Sequence, residues 1–136
     1  MTDWLPYVRQ LADAMGLKDW SFKIDDEVSD DHCDAQIRCI YGQRRAVIRL
    51  GAQLDAYDPE KQRGIIAHEL IHCHLALIDA AARYVEPALG SVAWPLFEGA
   101  MADANEQATD AIAVVLAPFL PLLPLLPVVE EEQEAA

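Results

Sequence analysis

One long helix constrains the fold of this chain more than any other segment. Asp58 is a typical N-cap residue, and Pro59 occupies the first helical position, where its missing N–H has no partner to lose. No further proline follows before Pro87, which together with Gly90 is expected to end the helix and open a connection. The sequence therefore predicts a helix over about residues 59–84, against which the other elements of a single domain must pack.

The spacing of apolar residues predicts an α+β arrangement around this helix. Residues 4–15 carry an apolar stripe at helical spacing, and residues 20–24 alternate as in a strand. Residues 35–41 and 45–50 alternate again and are typical of a hairpin. A second long helix is expected over about residues 96–117. The order predicts an N-terminal helix and a small three-stranded sheet packed on a helix pair.

The last 18 residues differ in composition from the rest of the chain. Prolines recur at every third position among leucines, and four glutamates lie within the final seven residues. Prolines at this spacing prevent a continuous helix, so the uncharged stretch 111–129 is not expected to cross a membrane despite its length. We assign residues 1–118 to one domain and residues 119–136 to a Pro/Leu-rich and acidic tail. Residues 118–128 are expected to be extended and packed on their own domain or on a neighbouring chain.

The charge balance and the cysteine count exclude several classes of protein. The 136-residue chain has 23 Asp and Glu against 10 Lys and Arg, a net charge of −13. Because nucleic acids and anionic membranes are bound by basic surfaces, neither is an expected partner. The three cysteines do not indicate a disulfide framework, and the first ten residues, MTDWLPYVRQ, do not resemble a signal peptide. We expect a cytoplasmic protein.

The long helix contains the motif H-E-x-x-H at residues 68–72. Residues i and i+4 lie on one helix face, so both imidazoles can reach one metal ion. Zinc suits such ligands and lowers the pKa of a bound water to about 7. Glu69 lies about 60° around the helix from His72, where it can accept the proton of that water and pass it to a leaving amine. The motif predicts one zinc ion per chain with Glu69 as the general base.

A catalytic zinc also needs a third protein ligand, and the neighbouring histidines and cysteines do not supply it. His74 lies about 160° and Cys73 about 100° around the helix from His72, so structural roles are predicted for both. No histidine follows His74. His32 beside Cys33 suggests metal binding, but nothing pairs with it, and it is assigned to a loop.

A carboxylate on the second long helix therefore remains. Glu106 and Asp110 are four residues apart and share a face, so Glu106 can bind zinc while Asp110 accepts the free ring N–H of a ligand histidine. Glu98, about two turns earlier, is the alternative ligand. The residue that stabilises the oxyanion stays undecided among several candidates: Tyr7, Tyr41, Tyr57, Arg83 and Tyr84.

These two motifs resemble a known family. H-E-L-I-H followed by E-x-x-x-D on a later helix resembles the gluzincin metallopeptidases. The compact layout and the run E-x-x-x-D-A-I-A-V-V-L-A-P more closely resemble small phage and bacterial proteins related to the ImmA/IrrE zinc peptidases. The resemblance covers about residues 35–118 and implies a minimal zincin-like domain, compatible with a phage origin. It implies zinc ligands at His68, His72 and Glu106, with Glu69 as general base. It also implies that strand 45–50 is an edge strand above the active-site helix that pairs with an extended substrate.

Two functions are consistent with these residues. The first is a zinc metallopeptidase acting on a peptide or protein substrate, which the presence of Glu69 favours. The second is an interaction module without proteolytic activity, in which zinc staples the two long helices and the tail contacts a partner or a second copy. The small size of the chain and its lack of a substrate-binding subdomain favour this second function. A DNA-associated protease of the SprT type is disfavoured by the charge of −13 and the missing third histidine.

Overall fold

The structure, a computed structural model, describes residues 2–29 and 32–123 and has an α+β architecture. Three helices and a small three-stranded mixed sheet confirm the predicted general class. The elements in chain order are α1 (Leu5–Ala14), β1 (Ser21–Ile24), β2 (Ala35–Ile40), β3 (Arg45–Leu50), α2 (Pro59–Arg83) and α3 (Glu86–Leu116), with 3-10 turns at Leu54–Ala56 and Ala117–Phe119.

The long helix α2 begins as the sequence predicts. The side chain of Asp58 accepts a hydrogen bond from the backbone N–H of Lys61 at 2.9 Å, and Pro59 is the first helical residue. The core lies between α2, α1 and the inner face of the sheet. Its largest fully buried side chains are Tyr7, Leu11, Ile48, Leu54, Ile66, Leu70 and Ile71.

The predicted connection after α2 is wrong. Only Tyr84 and Val85 separate α2 from α3, so the second helix begins about ten residues earlier than expected. Pro87 lies in the first turn of α3, where a proline is tolerated because those N–H groups have no helical partner. Gly90, at φ 71° and ψ −174°, has a non-helical backbone that glycine can adopt, so α3 is kinked there, although no open connection follows.

The strand order also differs from expectation. The sheet order is β1-β3-β2, with β1 and β3 parallel and the β2–β3 hairpin antiparallel as predicted. The strand at residues 45–50 is therefore central and has both edges paired, so the expectation that it is the edge strand is wrong. The edge strand beside α2 is β2.

The start of the tail packs against the domain. Leu120 is buried, its carbonyl accepts a hydrogen bond from Arg63 at 3.1 Å, and the Tyr7 hydroxyl donates to the carbonyl of Pro121 at 2.9 Å. The prediction of an extended path is wrong for Pro118 and Phe119, which lie in the 3-10 turn, and the extended backbone begins at Leu120. Residues 124–136 lie outside the described part, so the division into a domain and a tail stays a prediction.

By length and composition, α2 is apolar enough to cross a membrane, with a mean hydropathy of 1.4 in its most apolar stretch. A third of that stretch is buried inside the domain. The core helix of a soluble protein meets the same criteria, so this is a weak indication. The expected absence of a membrane partner stays a prediction.

Candidate metal centre

The hairpin of α2 and α3 brings the motif H-E-x-x-H opposite a glutamate. His68 and His72 lie one turn apart on α2, and Glu106 faces them from α3. One potential ligand atom from each of the three residues lies within 4.8 Å of the others. The three side chains therefore form a possible metal-binding triad.

The orientation of the side chains fits a shared cation. The Nε2 atom of His72 lies 2.9 Å from one carboxylate oxygen of Glu106, and the Nε2 atom of His68 lies 3.4 Å from the other. Both imidazoles thus direct the same ring nitrogen toward one carboxylate. Two imidazoles and one carboxylate are a donor set that zinc accepts, and it leaves room for a further ligand.

Asp110 contacts the same cluster from the next turn of α3. Its Oδ1 lies 2.9 Å from Nδ1 of His68, the ring nitrogen that faces away from Glu106. An acceptor in this position holds the proton on Nδ1 and leaves Nε2 of His68 as the free donor to a metal. This is the contact that the i, i+4 spacing of Glu106 and Asp110 predicts.

A second pair that the sequence reasoning missed joins the two helices beside the triad. The side-chain amide of Asn105 donates a hydrogen bond to the carboxylate of Asp79. Asn105 precedes Glu106, and Asp79 lies two turns after His72 on the same face of α2. The i, i+7 spacing of His72 and Asp79 places both residues on one face of α2, and this spacing could have predicted that Asp79 lies beside the triad.

Glu69 is buried beneath the edge strand. Only 8% of the residue is exposed, and burial raises the pKa of its carboxyl to about 8. The charge of Glu106 contributes to this raised pKa, whereas a hydrogen bond from the backbone N–H of Ile37 opposes it. Burial also lowers the pKa of His72, although the charge of Glu106 acts in the opposite direction. The neutral imidazole is the form that binds a metal.

These residues line one large cleft between β2 and the two long helices. It has a volume of about 1740 Å³, and its walls include both histidines, Glu69, Glu106 and Asp110. Of the oxyanion candidates, Tyr41, Arg83 and Tyr84 line this cleft. The other two do not line it: the Tyr7 hydroxyl donates to the carbonyl of Pro121, and the Tyr57 hydroxyl donates to the carboxylate of Asp34.

The remaining predicted residues are not members of the triad. Glu98 lines a smaller groove of about 340 Å³ that His72 and Glu106 also border, but within the described residues it is not part of the metal-ligand group. His32 is exposed in the loop between β1 and β2. The ring of His74 bonds to the carbonyl of Met15 at 2.7 Å, which agrees with the structural role predicted for it.

No protein-family model, curated protein or solved structure matches the chain. Its function must therefore be inferred from the arrangement of its own residues.

Proposed function

We propose that the protein is a zinc-dependent metallopeptidase of the gluzincin type, similar to the ImmA/IrrE-related proteins. The observation that carries the proposal is the convergence of His68, His72 and Glu106, with Glu69 buried next to them. A purely structural metal site needs no additional carboxylate inside the motif. The position of Glu69 between two ligand positions therefore favours hydrolysis.

The ion would be held by His68, His72 and Glu106, and Asp110 would orient His68 through Nδ1. When bound, zinc supplies a Lewis acid that lowers the pKa of water and polarises a peptide carbonyl. The raised pKa of Glu69 would be lowered by the positive charge of the bound ion, which favours the ionised form of this side chain. That carboxylate accepts a proton from the attacking water and transfers it to the departing amine nitrogen. Tyr41, Arg83 and Tyr84 are the cleft residues that can donate to the developing oxyanion.

The edge of β2 is the surface on which an extended substrate can pair. Gly51 N–H donates to the carbonyl of Asp34 at 2.7 Å, and antiparallel pairing alternates, so the backbone groups of Ala35, Ile37 and Cys39 point away from β3. The N–H of Ile37 already bonds Glu69. A substrate strand added to β2 would compete for this N–H and so release the carboxylate toward the reacting water.

Metal analysis of the purified protein tests the proposal. We expect about one zinc per chain in the wild type, near-background zinc in Glu106→Ala, and full zinc in the matched control Glu98→Ala. Glu69→Gln keeps the shape of the side chain and should retain zinc. Its cleavage of labelled casein or a mixed peptide library should fall roughly 10²–10⁴-fold.

Three results would contradict the proposal. They are a wild-type protein without zinc or with another metal, a Glu98→Ala variant that loses zinc as Glu106→Ala does, and a Glu69→Gln variant with undiminished activity. The cytoplasmic location and the lack of nucleic-acid or membrane partners stay predictions from the sequence.

A second candidate, the zinc-stapled interaction module, is favoured by a separate observation. Much of α3 is exposed although it is apolar. Its exposed fractions reach 79% at Val92 and 75% at Leu96, and Phe119 just beyond it is 85% exposed. Such surfaces on a single domain commonly contact other proteins. A zinc-loaded protein that cleaves nothing in the peptide library but self-associates in sedimentation would favour this function over the first.

A further inference from the structure

Two cysteines that the proposed chemistry does not use lie in contact beside the metal centre. Their Sγ atoms, of Cys39 on β2 and Cys73 on α2, are 3.7 Å apart. Cys39 is half-buried and lines the cleft, whereas Cys73 is 2% exposed. Cys33, in the loop before β2, is the third cysteine of the chain.

We propose that Cys39 and Cys73 are a peroxide-sensitive thiol pair whose disulfide ties the edge strand to the active-site helix. The two sulfurs are already in van der Waals contact, so a bond of about 2.05 Å requires only a small approach of β2 to α2. Because Cys39 is the more exposed of the two, it is the thiol that is oxidised first. Cys39 meets the oxidant from the cleft, and the buried Cys73 resolves the product.

The reaction consumes one molecule of hydrogen peroxide and oxidises two thiols. The sulfur of Cys39 attacks one peroxide oxygen, the O–O bond breaks, and water leaves with the thiol proton, which gives a sulfenic acid. The sulfur of Cys73 then attacks that sulfur and the S–O bond breaks. The hydroxide departs with the Cys73 proton as a second water. A dithiol reductant reverses the change by thiol–disulfide exchange.

The bond would act directly on the cleft. Cys73 follows His72 on α2, and Cys39 is two residues from Ile37, whose backbone N–H bonds Glu69. A disulfide would therefore fix the spacing between the edge strand and the helix that carries the triad. It would also close a loop that contains the β2–β3 turn and all of β3, which lowers the conformational entropy of the unfolded chain. The inference does not depend on peptidase activity.

Peptide mapping of peroxide-treated, full-length protein tests the proposal. After treatment and alkylation without reductant, we expect one linked peptide pair containing Cys39 and Cys73, restored to two free thiols by dithiothreitol. The control Cys33→Ser should give the same pair. In Cys73→Ser the reaction should stop at a sulfenic acid on Cys39 that dimedone traps. Oxidation should raise the melting temperature of Cys33→Ser by about 5–10 °C.

Two results would overturn the proposal. In one, Cys73 stays open to alkylation after unfolding while Cys39 is oxidised to the sulfinic acid. In the other, the only disulfide joins two chains. Because both are read in Cys33→Ser, which retains the native pair, neither depends on whether Cys73→Ser folds. Since every readout is a thiol state or a melting temperature, failure here is distinct from failure to find zinc or proteolysis.

Discussion

We predict that the kink at Gly90 allows Glu106 to reach the two histidines. His72 lies 12 residues, about 18 Å, before the connection between α2 and α3, and Glu106 lies 21 residues, about 32 Å, after it. In two straight helices Glu106 would lie more than two turns beyond His72. The kink at Gly90 interrupts α3, so the continuous helical segment that leads to Glu106 starts at Ser91 and is about 23 Å long.

Replacing Gly90 by alanine should therefore disturb both the fold and the site. A Cβ at Gly90 has no atom within 4 Å, so the cost comes from the backbone alone. The conformation at φ 71° and ψ −174° is nearly exclusive to glycine and costs other residues about 1–3 kcal/mol. We expect a loss of about 2 kcal/mol in the free energy of unfolding and a melting temperature lower by roughly 6–10 °C. Relaxing the strain would move Glu106, so zinc affinity should fall at least about tenfold.

Gly99→Ala is the matched control. Gly99 lies in the same helix and a Cβ there also meets nothing within 4 Å, but its backbone is helical. Alanine at this position should stabilise the protein by about 0.5–1 kcal/mol and leave zinc affinity unchanged. Thermal unfolding and a competitive zinc titration on both variants make the comparison. If Gly90→Ala melts at or above the temperature of Gly99→Ala, the assigned role of the kink is wrong.

Three further changes test other parts of the domain. A chain ending at Pro118 should have a free energy of unfolding in urea about 4 kcal/mol lower than a chain ending at Leu123. The shorter chain loses the buried side chain of Leu120 and two hydrogen bonds to backbone carbonyls. Equal urea midpoints of the two chains would contradict this. Thr109→Val should stabilise the protein by about 1 kcal/mol or leave it unchanged, because within the described residues the buried hydroxyl has no partner; a clear loss in chemical denaturation would refute it. Hydrogen bonds from Tyr57 and Gln53 hold the pKa of Asp34 below its usual range. The carboxylate therefore stabilises the fold fully above its unfolded pKa of about 4, and this stabilisation is lost as the pH falls through the folded pKa. Urea unfolding at about pH 7 and pH 3 should show the advantage of the wild type over Asp34→Asn shrinking in acid, and a constant difference would count against it.

The helices were predictable where a local signal marks their ends. The cap at Asp58 and Pro59 fixed the start of α2, because capping depends on residues that are adjacent in sequence. The same kind of signal failed at Pro87 and Gly90. A proline is equally suited to the first turn of a new helix, and a glycine can kink a helix as well as end it. Composition alone does not distinguish these cases.

The grouping of His68, His72 and Glu106 was predictable for a different reason. Their chemistry required a third donor, and the sequence contained few candidates. The contact between Asp79 and Asn105 was not predicted, because it depends on how far α3 is shifted along α2. The kink and the two-residue connection both affect that shift, and the apolar pattern of the helices reveals neither of them.

The order of the strands determines which strand edge is open to pairing, and alternation in the sequence does not contain this information. Alternating residues indicate which face of a strand is buried, but not which strands are neighbours. Here β1 pairs in parallel with the edge of β3 that the sequence analysis expected to be open, and β2 is the outer strand beside α2. The N–H of Ile37, which points away from β3, donates a hydrogen bond to the carboxylate of Glu69 instead of to solvent. The edge strand and the general base proposed for this site therefore share one hydrogen bond, so a change in strand pairing would alter both substrate binding and proton transfer.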